Sequence, residues 1–325
     1  MKVAAALPPP PDRSSPHVAI VGAGAMGAGI ATAVALSGRP VRCLARSDDS
    51  MAATRSRVTS ALQVLNDVGI IDDETRKTSS TLIDYARNVP DTVHGSWLIV
   101  ESVREDLGLK LDVLGLIGAE ASPEAFITTN TSSLRLADLA DAVTNPMRFA
   151  GLHWFLPAEL VEIVEVVSAP KTSALTVHTL GEFVRAMGKA AVHVRRPVPG
   201  FVVNRLQYAL LREAHGLVAA GVCAPEDIDD ALVHGLGPRW SAVGALESMD
   251  LAGLDVHVAV AEQLYPELFA TTVPDPYLYE ITANGDLGAK TGNGIRGEYT
   301  AQRLADIAHR RALVARVLRD LPNQT

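Results

Sequence analysis

Residues 17–47 read HVAIVGAGAMGAGIATAVALSGRPVRCLARS, and they predict one β-α-β unit shaped to hold a dinucleotide. His17 to Val21 is a short apolar run suited to a buried parallel strand. Gly22, Gly24 and Gly27 follow as G-x-G-x-x-G around Ala25 and Met26, and an Ala- and Gly-rich helical stretch continues to about Leu36. Ser37-Gly38-Arg39-Pro40 ends that helix, and Val41 to Leu44 begins a second strand. Each glycine has its own task. Gly22 permits the tight turn, Gly24 lets a pyrophosphate approach the backbone, and Gly27 lets the helix pack closely on the strand. The helix N-terminus then presents unpaired N–H groups and a positive dipole end to the phosphates. A lone glycine motif says little; strand, loop, helix and strand in the right order say much.

The end of the second strand bears on the choice of cofactor. An acid that binds the ribose diol of NAD is expected roughly 20 residues after the first glycine. Ala45 stands there instead, followed by Arg46 and Ser47. Ala45 removes the charge that would repel an extra phosphate, Arg46 can stack on adenine or pair with a 2′-phosphate, and Ser47 can donate to it. Asp48 and Asp49 come next and can either reach back to the diol or open the following helix as N-terminal acids. The expected cofactor is NADP(H), with NAD(H) possible.

Length and composition bound the rest. A chain of 325 residues exceeds one average domain. Hydrophobic residues at 48% and charged residues at 20% fit a globular protein with a sizeable core. A net charge of −8 argues against nucleic acid or an anionic membrane as the partner. Cys43 and Cys223 lie far apart and make neither a disulfide framework nor a metal site. No apolar stretch approaches the roughly 20 residues needed to span a bilayer. The opening residues MKVAAALPPPPDRSS are too short in apolar character for a secretory signal and read as a disordered tail over 1–16. The expected location is cytoplasmic.

Strand-like runs then alternate with helical stretches. Trp97 to Glu101, Phe126 to Thr129, Arg148 to Leu152, Leu160 to Val167 and Ala190 to Val194 read as strands. Leu107 to Ala121, Leu134 to Val143 and Thr172 to Met187 read as helices between them. This predicts an α/β fold: a Rossmann-type, doubly wound dinucleotide-binding domain over 17–197. Pro197-Val198-Pro199-Gly200 punctuates the chain, and helical spacing dominates beyond it, in Val202 to Ala220, Ala242 to Tyr265 and Tyr299 to Leu318. The expected second domain, 198–325, is all-helical. Its apolar helices have more surface than a small domain buries alone, which predicts a homodimer.

Beyond the glycine loop, ESVRED, TNTSSL, GLHWFLPAELVEIVEV, PGFVVNRL and LGAKTGNG occur in order. Together with GAGAMGAGIA they make the chain resemble the L-3-hydroxyacyl-CoA dehydrogenase superfamily, including its lambda-crystallin-like L-gulonate and carnitine dehydrogenase branches. The resemblance implies hydride transfer between nicotinamide and a 3-hydroxy or 3-keto group. It implies His153 as general acid/base and Glu165 as the carboxylate that orients it. The chemistry needs such a pair, because a developing alkoxide requires a proton near neutral pH. The resemblance further implies Ser132 as the substrate-hydroxyl contact, in preference to Ser133, and Asn204 as an amide on the first long helix of the second domain. Glu105 and Lys110 match positions near the nicotinamide ribose and the substrate entrance. Structural readings stand beside these: capping by Ser132 or Ser133, interdomain bonding by Asn204, and plain surface charge for Glu105 and Lys110. Strand alternation sets Glu162 and Glu165 on opposite faces, so only one can face His153.

Two departures limit what carries over. The family's His-x-x-Asn-Pro appears as His153-Trp154-Phe155-Leu156-Pro157, so an amide beside the histidine is lost. Gly235-Leu236-Gly237-Pro238-Arg239-Trp240 resembles the gulonate and carnitine branch. There Arg239 and Trp240 can meet the substrate, Arg239 by forking onto a carboxylate or phosphate, or Arg239 can pair with Glu247 or Asp250. Acyl-CoA, acyl carrier protein thioesters and free acids all stay open as substrates. The leading expectation is an NADP-preferring oxidoreductase working in the reductive direction. The alternatives are an NAD-dependent 3-hydroxyacyl-CoA dehydrogenase, a catalytically silent crystallin-like protein, and a dinucleotide-sensing protein.

Overall fold

The computed structural model describes residues 16–320 and divides the chain into two compact units. The tail expected over 1–16 lies outside the described residues except for Pro16. One unit runs up to Val202 and takes in the chain again from His309; the other is Val203–Ala308. The sequence suggests 198–325 as one body, whereas the last turns of the final helix belong with the first unit.

The first unit is built on an eight-stranded sheet. Its strands are β1 Val18–Val21, β2 Val41–Leu44, β3 Ile83–Ala86, β4 Leu98–Glu101, β5 Phe126–Thr129, β6 Phe149–Trp154, β7 Ile163–Ser168 and β8 Ala190–Val194. Their spatial order is β3-β2-β1-β4-β5-β6-β7-β8. Every neighbouring pair is parallel except β6 and β7. The sequence order reverses between β1 and β4, so the crevice beyond their C-terminal ends is where such a sheet takes its ligand.

Helices cover both faces: α1 Ala25–Leu36, α2 Asp48–Asp67, α3 Asp73–Thr81, α4 Val89–Val93, α5 Leu107–Glu120, α6 Leu136–Ala140 and α7 Ala174–Ala186. Strand alternation divides the core accordingly. Val18 and Ile20 of β1 enter one apolar cluster, while Ala19 and Val21 enter the other. Both faces being covered explains why β1, β4 and β5 are buried along their whole lengths. α1 is buried from Gly27 through Ala35, because its small side chains let it lie close to the sheet.

The second unit carries α8 Val203–Ala219, α9 Pro225–Asp230, α10 Gly237–Ala242, α11 Ala245–Ala252, α12 Leu254–Leu264, α13 Pro276–Ala283 and the start of α14 Ala301–Asp320. A π-helical turn, Ala231–Leu236, joins α9 to α10. A hairpin of two-residue strands, β9 Asn293–Gly294 and β10 Gly297–Glu298, is a small exception to the all-helical expectation. The single helix expected from Ala242 to Tyr265 is broken at Gly253, whose φ of 100° no helix accommodates. From Ala312 onward α14 packs on Leu65, Val68 and Leu160, with Arg316 donating to the Val68 carbonyl at 2.8 Å.

Candidate active site

The glycine loop takes the form the sequence predicts. Gly22 has φ +124°, and a Cβ there would lie 2.4 Å from the Ser102 carbonyl group. A Cβ on Gly27 would lie 1.8 Å from the Gly22 oxygen, so only glycine lets α1 start this close to β1. Gly24 differs: a Cβ there meets nothing within 4 Å, and as N-cap of α1 it makes no side-chain bond. The first N–H groups of α1, at Ala25, Met26 and Gly27, are thus left without a capping side chain beside open space, which suits the pyrophosphate of a dinucleotide.

At the end of β2, Ala45 is buried and Arg46 is exposed, and among the described residues Arg46 has no hydrogen-bond or ion-pair partner. Ser47 is committed elsewhere. Its hydroxyl caps α2 by accepting from the Ser50 N–H, and Ser50 returns a bond to the Ser47 N–H. Asp48 and Asp49 form the acidic first turn of α2, with Asp48 paired to Arg87. Of the alternatives for these acids, the structure takes helix initiation.

The candidate catalytic residues meet at the C-terminal end of β6. The antiparallel register sets His153 directly opposite Glu165, and His153 Nδ1 lies 2.7 Å from Glu165 Oε2. Both side chains are buried, at 2% and 0% exposure. An ionised carboxylate only accepts, so the Nδ1 proton sits between the two and Nε2 is left as the acceptor of the neutral ring. Ser132 Oγ approaches that Nε2 at 2.9 Å and donates to it. Glu165 Oε1 accepts the Val202 N–H at 2.9 Å, which fixes the carboxylate from its other side. Phe155 and Phe201 stand edge-on to the imidazole, with ring centroids 4.5 and 5.3 Å away. Glu162 lies outside β7, where strand alternation no longer applies, and accepts from Arg319 at 2.9 Å, so of the two acids it is Glu165 that meets His153.

Several expectations need correction. Neither Ser132 nor Ser133 caps α6, whose N-cap is Arg135. The Ser133 N–H and hydroxyl both donate to Glu105 Oε1, at 2.9 Å each. Glu105 also receives Thr131 Oγ1 at 2.6 Å and the Ser132 N–H at 3.0 Å, so it is no plain surface charge. Burial opposes its ionisation, but the bonds from Thr131 and Ser133 and the charge of Lys110 prevail, holding its carboxyl below the usual range. Lys110 is likewise no plain surface charge: it is 1% exposed and bonds both oxygens of Glu101 at 2.8 and 3.0 Å. Glu101 is not singled out by the sequence motifs, although an acid closing the apolar run Trp97 to Glu101 is a signal of a buried role. Nor is Asn130, whose Oδ1 accepts the Trp154 N–H at 2.8 Å and anchors the end of β6.

Asn204 is the second residue of α8 and half-buried, in the other unit. Arg239 and Trp240 lie exposed on α10. Among the described residues Arg239 forms no ion pair, so the expected pairing with Glu247 or Asp250 is not made. No helix among the described residues is long and apolar enough to cross a membrane.

Comparison with known proteins agrees with this geometry. Residues 17–197 match the model of the 3-hydroxyacyl-CoA dehydrogenase NAD-binding domain, and residues 200–297 match that of the 3-hydroxyacyl-CoA dehydrogenase C-terminal domain. The chain belongs to the 3-hydroxyacyl-CoA dehydrogenase family. It is 32% identical to 5-formyl-3-hydroxy-2-methylpyridine 4-carboxylate 5-dehydrogenase of Mesorhizobium japonicum, across 93% of this chain and 98% of that protein. It is 33% identical to the mitochondrial hydroxyacyl-coenzyme A dehydrogenase of Homo sapiens, across 86% and 90% of the two chains. Among solved structures, a 5-formyl-3-hydroxy-2-methylpyridine 4-carboxylic acid 5-dehydrogenase, described as an NAD+-dependent dismutase, matches with a TM-score of 0.86. The match is 31% identical and covers 95% of this chain and all of that one. The (S)-3-hydroxybutyryl-CoA dehydrogenase of Ralstonia eutropha matches with a TM-score of 0.71 and 31% identity, over 87% and 99%. Members of this family bind a nicotinamide dinucleotide in the first domain, and the uncapped start of α1 beside Gly24 fits one here.

Proposed function

We propose that this family member is an oxidoreductase that interconverts a 3-keto and a 3-hydroxy group on a small acyl substrate. The observation that carries the reading is the line Ser132–His153–Glu165, with contacts of 2.9 and 2.7 Å. A nicotinamide dinucleotide held at the start of α1 supplies or accepts the hydride. The protein's own residues handle the proton. In reduction, His153 Nε2–H donates to the oxygen that becomes an alkoxide, while Glu165 stabilises the imidazolium; in oxidation the neutral Nε2 takes the hydroxyl proton. Ser132 donates to the same oxygen once substrate displaces its bond to Nε2. Asn204 is assigned the second donor to that oxygen on the strength of the motif PGFVVNR. Phe155 and Phe201 keep water from the imidazole.

The cofactor reading is NADP(H). Ala45 carries no charge to repel a 2′-phosphate, Arg46 is unpaired and exposed, and the negative charge of Asp48 is offset by Arg87. Since NADPH serves as a reductant, this favours ketone reduction. The NAD(H) reading is favoured by Ser47 being tied into its cap and by the NAD+-dependent relative. The substrate reading spans acyl-CoA, acyl carrier protein thioesters and free 3-keto acids. The Mesorhizobium relative acts, by its name, on a pyridine carboxylate, which keeps Arg239 in view as a carboxylate contact and Trp240 as its apolar neighbour.

The second unit is read as the surface of a homodimer. Leu246, Leu251 and Tyr265 are 79%, 76% and 72% exposed, and among its described residues only Ala214 and Gly216 are buried. Such a surface calls for a second copy to cover it. The unpaired thiols Cys43 and Cys223 suit a reducing compartment, and we place the protein in the cytoplasm.

The test is oxidation of NADPH and NADH with acetoacetyl-CoA, an N-acetylcysteamine thioester and free 3-keto acids. Turnover of one of them is expected. Tight dinucleotide binding without turnover of any would favour a silent, crystallin-like protein instead.

A further inference from the structure

We propose that Arg319 and the last turns of α14 clamp the loop between β6 and β7, and that this clamp holds Glu165 against His153. The proposal rests on the hydride-transfer reading above and makes Arg319 a positioning residue for that chemistry.

The cross-strand pairs of β6 and β7 run from Ala150–Ser168 to Trp154–Val164, and His153–Glu165 is the last but one. A single pair thus separates the acid/base couple from the open end of the ladder, where strands fray most readily. Residues 155–162 connect the strands there, a longer link than the roughly two to five residues usual in a hairpin. A tight turn would pin that end by its own geometry. This loop is pinned by what surrounds it.

Three elements of the first unit hold it. Ala158 is buried in one apolar cluster with Trp154 and lies against Gly29 of α1. Just before β8, Lys189 donates to the Val161 carbonyl and the Ala190 N–H to the Glu162 carbonyl, each at 2.7 Å. α14 supplies the outer hold. Leu160 packs with Ala312 and Ala315 in a separate cluster. Arg319 then forks: Nη2 donates to the Glu159 carbonyl at 3.0 Å, and Nε donates to Glu162 Oε1 at 2.9 Å. One planar guanidinium thereby ties loop backbone to the residue that leads into β7.

Arg319 and Glu162 are both partly exposed, where an ion pair contributes little to stability. Its effect on position counts for more, because a misplacement of about 1 Å at a reacting group can cost about 100-fold in rate. α14 starts at Ala301, past the stretches 17–197 and 200–297 that match the two family domains, so the clamp is an addition to that frame.

The test compares Arg319→Ala, Arg319→Lys and Arg316→Ala, each in the full-length chain. Three quantities are read: kcat, the dissociation constant of the dinucleotide, and the ring resonances of His153 in a nitrogen-15 NMR spectrum. Arg319→Ala is expected to lower kcat by about fivefold or more and to move the His153 resonances, with dinucleotide affinity changed less than about twofold. Arg319→Lys, which keeps a cationic donor, should recover part of kcat. Arg316→Ala takes from α14 its bond to the Val68 carbonyl but leaves the loop's bonds in place, and kcat should stay within about twofold. Unmoved His153 resonances in Arg319→Ala overturn the proposal, whatever happens to kcat or Tm. Equal losses of kcat in Arg319→Ala and Arg316→Ala also overturn it, because α14 would then be a general support. If Arg319→Ala fails to fold, Glu162→Ala, which removes one acceptor and leaves the Glu159 carbonyl to Arg319, is read in the same way. If the wild type turns over no substrate, the hydride-transfer reading fails, while the His153 resonances still decide the clamp.

Discussion

His153 on β6 and Glu165 on β7 are direct cross-strand partners in the one antiparallel pair of the large sheet, and their side chains meet at 2.7 Å. Twelve residues apart in sequence, they are brought together by the chain's reversal after β6. Because Glu165 is pinned by the Val202 N–H as well, it acts as a fixed acceptor that sets the imidazole tautomer. Glu165→Gln removes the charge and lets the amide donate toward Nδ1, favouring the wrong tautomer. It should lower kcat by at least about 100-fold while dinucleotide affinity stays within about twofold, as steady-state kinetics and fluorescence titration will show.

The free guanidinium of Arg46 sets a second expectation. Arg46→Ala should raise KM for NADPH by about tenfold or more and leave KM for NADH nearly unchanged. Equal effects on both would mean that Arg46 only stacks on adenine. A wild-type preference for NADH would remove the case for a 2′-phosphate site.

The glycine loop separates a folding role from a binding role. Gly27→Ala drives a Cβ into the Gly22 carbonyl at 1.8 Å and should lower Tm markedly. Gly24 has φ −70° and open space around it, so Gly24→Ala should leave Tm within a few degrees. That same methyl stands where the pyrophosphate must approach and should weaken dinucleotide binding at least about tenfold. Melting curves with and without dinucleotide test both.

Lys189 gives a pH signature. Burial pushes its ammonium down from 10.5 to about 8, where it donates to the Val161 carbonyl at 2.7 Å. Between pH 8 and 10.5 the unfolded chain holds a proton at this residue that the folded chain has released. Stability attributable to Lys189 therefore rises with pH across that window, by up to about 3 kcal/mol. Below pH 8 both states are protonated, and the cost of burying the charge is present in full. The difference in unfolding midpoint between wild type and Lys189→Met should shift in favour of wild type as pH rises from 8 toward 10.5.

What can be read from the sequence divides along physical lines. Strands buried on both faces, such as β1, β4 and β5, are continuous apolar runs and stand out. β3 does not, because IDYA lies at the sheet edge, exposes Asp84 and carries half of that signal. The apolar stretch from Ala242 to Tyr265 hides its break, since one glycine in a helical pattern does not reveal a φ of 100°. His153 and Glu165 are legible through their motif, and their contact follows from the β6–β7 register. The Glu101–Lys110–Glu105 cluster is not, because a charged side chain in sequence carries no mark of burial. Only the fold shows that Lys110 turns back beneath the loop to meet two acids.

The most direct measurement is the turnover of His153→Ala beside wild type, with the best keto substrate and saturating reduced dinucleotide, at equal dinucleotide occupancy. With His153 as the proton donor, kcat should fall by about 10² to 10⁴ fold while the dinucleotide still binds. Unchanged turnover in His153→Ala would contradict the assignment of acid/base chemistry to this residue.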